Sequence, residues 1–270
     1  VSATARRERD RDQRDPAVEE ALDRTIADGR RRLARPWPSL TATALMGGLE
    51  IGTGLLALLV VEHETGSHLA GSLAFTIGLI AVLLGQSELF TEDFLVPVTA
   101  VAARQGTLRD LARLWTVTLL VNLAGGWVIT FLLMVAYPDL HAEAVAAGTN
   151  FAALGITPRS FCLALVAGAA MTLMTWMQGS TRDTIAKIAA AVSIGFLVVA
   201  ARLFHSVFDS LLMFAALHTG DAPFGYLDWL RQFLWASFGN VVGGVALVTV
   251  LRLVQGRHKV QERRAEAARD

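Results

Sequence analysis

Two short stretches set ionisable side chains inside apolar runs. "GQSELFTED" (residues 85–93) follows "LAFTIGLIAVLL", and "RLFHSVFDS" (residues 202–210) follows "VSIGFLVVAA". His205 carries an imidazole, whose unperturbed pKa lies near neutrality, so its residue type suits hydrogen bonding and proton exchange. Arg202 stays charged at any accessible pH and needs compensation, for which Glu50 in "GGLEIG" or Asp209 is the expected partner. If Arg202 instead faces a lumen, it attracts anions. Glu50, Glu88, Glu92 and Asp209 pull the other way, because rings of carboxylates select cations. Arg202, His205 and Asp209 stand at i, i+3 and i+7, one face of a continuous helix. Thr91, Glu92 and Asp93 are expected to cap a restarting helix, with Glu88, Glu92 and Asp93 solvated at a loop end. Ser206, His205 and Asp209 are the residue types of a hydrolase triad, yet adjacent helical residues point apart. His63, His68, His141, His218 and His258 lack metal-ligand spacing. No glycine-rich nucleotide loop, zinc cysteine cluster or basic aromatic surface occurs, so the reading assigns no cofactor, no metal and no nucleic acid partner.

The elements that hold these groups are membrane spans. Of 270 residues 53% are hydrophobic and 18% charged. Six apolar segments approach or exceed the roughly 20 residues a crossing needs: 40–61, 69–103, 108–137, 161–177, 185–217 and 233–254. The second and fifth are too long for one crossing, and each contains one of the polar interruptions. Inside lipid a broken helix is tolerated only where protein or a water-filled cavity surrounds it. Buried ionisable groups there are functional candidates. Cys162 has no partner in the chain and reads as a small buried hydrophobe.

Basic residues sort the sides. Ten arginines, from Arg6 to Arg35, precede the first span, and six basic residues follow from Arg252 to Arg269. Arg104, Arg109 and Arg113 follow span two, and Arg182 and Lys187 follow span four. The connections after spans one and three start without any. Both termini are therefore expected in the cytoplasm, with no cleavable signal ahead of the first span. Residues 1–37 read as a charged cytoplasmic extension. Its first fourteen residues are a flexible tail, and Asp15 before Pro16 starts an amphipathic helix, with Val18, Leu22 and Ile26 on one face, lying on the protein or the headgroups. Residues 38–256 form the membrane domain, and 257–270 a charged cytoplasmic tail ending in a fraying helix.

The pattern repeats. Phe90 precedes Asn122 of "VNLAGG" by 32 residues, and His205 precedes Asn240 of "GNVVGG" by 35. The expected fold is all-α: six transmembrane helices as two inverted three-helix repeats, with helices two and five broken and meeting near the midplane. Gly125, Gly126, Gly243 and Gly244 let helices approach closely. Asn122 and Asn240 serve the free backbone groups at the breaks or act as helix-helix glue.

"ELFT" in a broken second span, "VNLAGG", "FGNVVGG", "TWMQGSTRDTIAKI" and "FHSVFDS", in this order, resemble the formate-nitrite transporter family over residues 38–254. The resemblance implies an aquaporin-like fold, a homopentamer with one pore per protomer, a bacterial inner-membrane location, and passage of small monovalent anions such as formate, nitrite, lactate or hydrosulfide, often with a proton. It puts the pore histidine at His205 and the first-break threonine at Thr91, with Leu89 and Phe90 in the cytoplasmic constriction. Phe204 or Phe208 would stand opposite. The chain departs from the family pattern at Gly168 and Asp209, where the pattern has asparagines, and at Phe204, where it has a glutamate. These departures and the leader suggest a less-studied branch. A cation-conducting pore, a closed scaffold whose leader binds a partner, and an intramembrane enzyme are the alternatives.

Overall fold

A computed structural model describes residues 16–269. Asp15 and the charged stretch before it lie outside the described residues, as does Asp270. No strand occurs among the described residues. The chain begins with α1 (Pro16–Leu33), which buries Leu22, Ile26, Gly29 and Leu33 along one face. Span one is α2 (Trp37–Thr65). Span two is two pieces, α3 (His68–Gly85) and α4 (Val96–Ala102), joined by a 3₁₀ turn at Phe90–Glu92. Span three is α5 (Leu108–Ala136), opened by a Thr107–Asp110 capping box.

The second repeat follows α6 (His141–Ala152) and consists of α7 (Pro158–Ser180), the broken pair α8 (Thr184–Ala200) and α9 (Ser206–Thr219), and α10 (Tyr226–Val242). The last span continues as a π-helical stretch, Gly243–Thr249, and α11 (Val250–Gln255); α12 (Arg257–Ala267) closes the chain. Five helical stretches, counting α10 through α11 as one, are long and apolar enough to cross a membrane, and α8 and α9 are shorter apolar helices. Between a third and somewhat over half of each crossing window is buried within the protomer. The remaining apolar face, including Leu73, Ile77, Phe131, Leu132 and Leu251, points outward.

Both broken spans are therefore present, as their excess length required. Two features differ from the sequence reading, and a third takes one of the alternatives it left open. The segment after span three contains α6, a full helix packed on α9 through Gly148, which lies against Ala216 and the Leu212 carbonyl. Cys162 is exposed on the outer face of α7 instead of buried. The N-terminal helix lies on the protein: Leu22 and Ile26 share a core with Leu95, Trp176 and Val260, and Arg263 of α12 holds Asp23 at 2.6 Å.

Candidate conduit between the two broken helices

The backbone at the two breaks follows one plan, offset by 116 residues. Gln86 and Arg202 both take left-handed φ values, 54° and 49°, each ending the first half-helix. The next amide then returns to a carbonyl five residues back: Ser87 to Val82 at 3.1 Å, Leu203 to Val198 at 2.9 Å. Leu89 and His205 are extended, with φ of −120° and −107°. One asparagine then completes each break. Asn122 Oδ1 accepts the Phe90 N–H at 3.0 Å, and its Nδ2 donates to the carbonyls of Ala44 (2.6 Å) and Glu88 (2.9 Å). Asn240 Oδ1 accepts the Ser206 N–H at 2.9 Å, and its Nδ2 donates to the carbonyls of Ala164 (2.9 Å) and Phe204 (2.8 Å). Each asparagine thus serves the break and ties it to the first span of its own repeat, which satisfies the accounting that lipid imposes.

This geometry corrects the register of the repeat: Leu89, not Phe90, is the counterpart of His205. It also explains Gly168. A Cβ there would stand 2.0 Å from the Asn240 carbonyl oxygen, and one at its counterpart Gly48 would stand 2.3 Å from the Asn122 carbonyl oxygen. Both positions must stay bare for the asparagine helices to approach. Gly125 and Gly243 likewise sit against the carbonyls of Leu45 and Leu165.

Three cavities border the two breaks. A vestibule of about 160 Å³ is bounded by Glu62, His68, Glu143, Asn150, Arg202 and Phe208. A central void of about 10 Å³, room for one water at most, lies among Ile51, Phe75, Leu79, Leu89, His205 and Phe208. A polar pocket of about 420 Å³ lies at the first break, with Arg32, Arg35, Glu88, Glu92, Gln178 and Lys187 in its walls. Phe208 borders both vestibule and void, with its ring 4.2 Å from that of Phe75. Leu89 borders the void while Glu88, one residue earlier, borders the polar pocket.

His205 caps α9. Its Nδ1 accepts the Phe208 N–H at 3.0 Å, so the neutral ring carries its proton on Nε2. Asp209 Oδ2 accepts the His205 backbone N–H at 2.7 Å and does not reach the ring. No hydrolase triad forms here: the carboxylate serves an amide, and the ring nitrogen that would orient a catalytic histidine is used by the cap.

The remaining predicted residues divide. Leu89, Phe208 and His205 meet at the void. Phe90 turns away and packs edge-on against Phe94 and Trp115, and Phe204 stacks on Phe151. Thr91 is fully buried, and its hydroxyl has no partner among the described residues. Arg202 pairs with neither Glu50 nor Asp209. Because the helix breaks at Arg202, it shares no helical face with His205 and instead lines the vestibule. Glu50 belongs to the first break, where its Oε1 and the Ser87 hydroxyl stand at 2.5 and 3.3 Å from the place of a Gly85 Cβ.

The carboxylates of the first break are not solvated, and they cap nothing: α4 starts at Leu95 without a side-chain cap. Glu88 and Asp93 are 1% and 0% exposed. Arg35 reaches Glu88 Oε1 at 2.6 Å, and Arg32 reaches Glu88 Oε2 at 3.0 Å and Asp93 Oδ1 at 3.1 Å. The Asp93 and Phe94 carbonyls are taken by Trp115 Nε1 (3.0 Å) and the Thr249 hydroxyl (2.7 Å). Sequence reasoning missed Arg32 and Arg35 as partners, and Glu62, His68 and Glu143 as vestibule residues. Their signal was only that each flanks a span end.

A family profile described as Formate/nitrite transporter matches residues 19–254. The chain belongs to the formate/nitrite transporter family. Among relatives in this family, Inner membrane protein YfdC of Escherichia coli (strain K12) is 27% identical over 90% of this chain and 80% of its own length. Formate channel BtFdhC of Bacillus thuringiensis is 26% identical over 85% and 92%. A solved structure of a pentameric formate channel with formate bound aligns with a TM-score of 0.68 at 22% identity, covering 80% of this chain and 95% of that one. The family's aquaporin-like fold and an integral membrane character follow for this chain.

Proposed function

We propose that this formate/nitrite transporter family member passes small monovalent anions, or their weak acids, across the cytoplasmic membrane as a homopentamer with one pore per protomer. The observation that carries the reading is the central void, pinched between Leu89 and Phe208 and bordered by His205. A bare anion is penalised by desolvation at such a constriction, whereas its neutral acid is not. The Nε2–H of His205 offers the one hydrogen bond that offsets part of this cost. Protonating the ring further would break its bond from the Phe208 amide, so His205 acts as a donor to the permeant instead of a proton store.

The arginine pairs of the first break support anions over cations. Arg32 and Arg35 pair with Glu88, and Arg32 also with Asp93, so two of the carboxylates at this break are offset by fixed positive charge and attract cations less. The pentamer rests on the wide outward apolar faces and on the pentameric assembly of the formate channel with the similar fold. The basic residues near both ends support cytoplasmic termini, and transport, not catalysis, fits the transporter and channel relatives.

In proteoliposomes, formate and nitrite flux is expected to fall more than about tenfold in His205→Ala and His205→Phe, with the oligomer intact by size-exclusion chromatography. Equal flux with an unchanged pH profile in both variants would remove His205 from the pathway.

A further inference from the structure

The vestibule walls bring one histidine–glutamate pair, a second glutamate and one arginine together, and His63 pairs with that second glutamate from the solvent side. His68, at the start of α3, places Nδ1 2.6 Å from Glu62 Oε1 and Nε2 3.1 Å from the Val199 carbonyl oxygen. Both partners are acceptors. A neutral ring beside an ionised Glu62 would leave one nitrogen lone pair facing an oxygen lone pair, so the pair holds one proton beyond that state. His63 Nδ1 lies 2.9 Å from Oε1 of Glu143, which itself lines the vestibule, while His63 stands outside it and is exposed. Arg202 lines the same space and forms no ion pair among the described residues. Asn150 adds a neutral donor. The other charged groups facing this cluster are Glu64 and Asp139, both exposed to solvent beyond His63.

We propose that this vestibule is an anion-capture site whose sign is set by proton occupancy of the His68–Glu62 and His63–Glu143 pairs. With both histidines protonated, His68 and Arg202 line the chamber as cations against Glu62 and Glu143, the latter offset by His63 outside it, and the chamber attracts an anion. With both deprotonated, Arg202 alone faces two carboxylates and the chamber repels one. Capture is thereby strongest when protons that can accompany a weak-acid anion are already held at the mouth. The inference rests on the anion reading above, and adds a loading step on the far side of Phe208 from His205.

The test is exchange of isotopic formate across proteoliposomes with equal pH inside and out, at about pH 5 and about pH 8. Dividing the KM of each variant by that of the wild type at the same pH cancels the ionisation of formate itself. For His63→Gln/His68→Gln the ratio is expected to be about fivefold or more at the acid pH and near one at the alkaline pH, the size expected of two partly screened charges. Arg202→Gln is expected to raise KM at both. A ratio for the double histidine variant that does not change with pH overturns the proposal. Should that variant fail to fold, Glu62→Gln/Glu143→Gln serves instead: its KM should fall at the alkaline pH, and no fall overturns the proposal. Absence of formate exchange by the wild type at both pH values sinks the anion reading itself, and this inference with it.

Discussion

The first and second breaks share a backbone and differ in where their charges are compensated. At the second, no arginine is recruited among the described residues: Asp209 holds the amide of His205, His205 holds the amide of Phe208, and Asn240 holds that of Ser206. At the first, the corresponding stretch carries Glu88, Glu92 and Asp93, and two of these are met by Arg32, which lies 56 and 61 residues before them. The imidazole and the leucine at equivalent positions both line the void, while the first break alone is tied to the N-terminal helix, through Arg32.

The largest effect is expected where the breaks are alike. Asn122→Ala and Asn240→Ala each strand one buried amide and two buried carbonyls, and each should cost about 4 kcal/mol in denaturant unfolding from mixed micelles. Clearly unequal losses would show that the two breaks are not equivalent supports. Arg32→Ala separates them. It leaves buried carboxylates short of a partner only at the first break, for about 2 kcal/mol after allowing for the partial exposure of the arginine. A cycle with Asp93→Asn should recover most of that loss, and additive losses would mean that the pair contributes little. The smallest effect concerns the left-handed residue. Gln86→Gly should stabilise by up to about 1 kcal/mol by relieving a conformation that side chains disfavour, and a loss of stability would mean that the glutamine side chain, which lines the polar pocket, outweighs the strain.

Much of this was legible in the chain. Apolar length fixed the six crossings, surplus length located both interruptions, and the two asparagines marked the supports. The rest was hidden for physical reasons. Consecutive residues in extended backbone face opposite ways, so whether Leu89 or Phe90 meets the void depends on a one-residue register that spacing alone left ambiguous. The partners of Glu88 and Asp93 were invisible because ten arginines and eight acids in one leader permit many pairings. The helix α6 was readable in principle, since Ala144, Gly148 and Phe151 recur on one face, but its modest hydrophobicity resembled a connection. For Arg202 the sequence left a partner in Glu50 or Asp209 and a lumen-facing position open; neither pair forms, and the break removes the helical face it would have shared with Asp209.

The order of the chain gives the arginine clasp a consequence for biogenesis. Arg32 and Arg35 are synthesised before Glu88 and Asp93, so the countercharges exist before the carboxylates that need them. The carboxylates need never enter lipid bare, and the half-helix that follows them can settle against a helix already made.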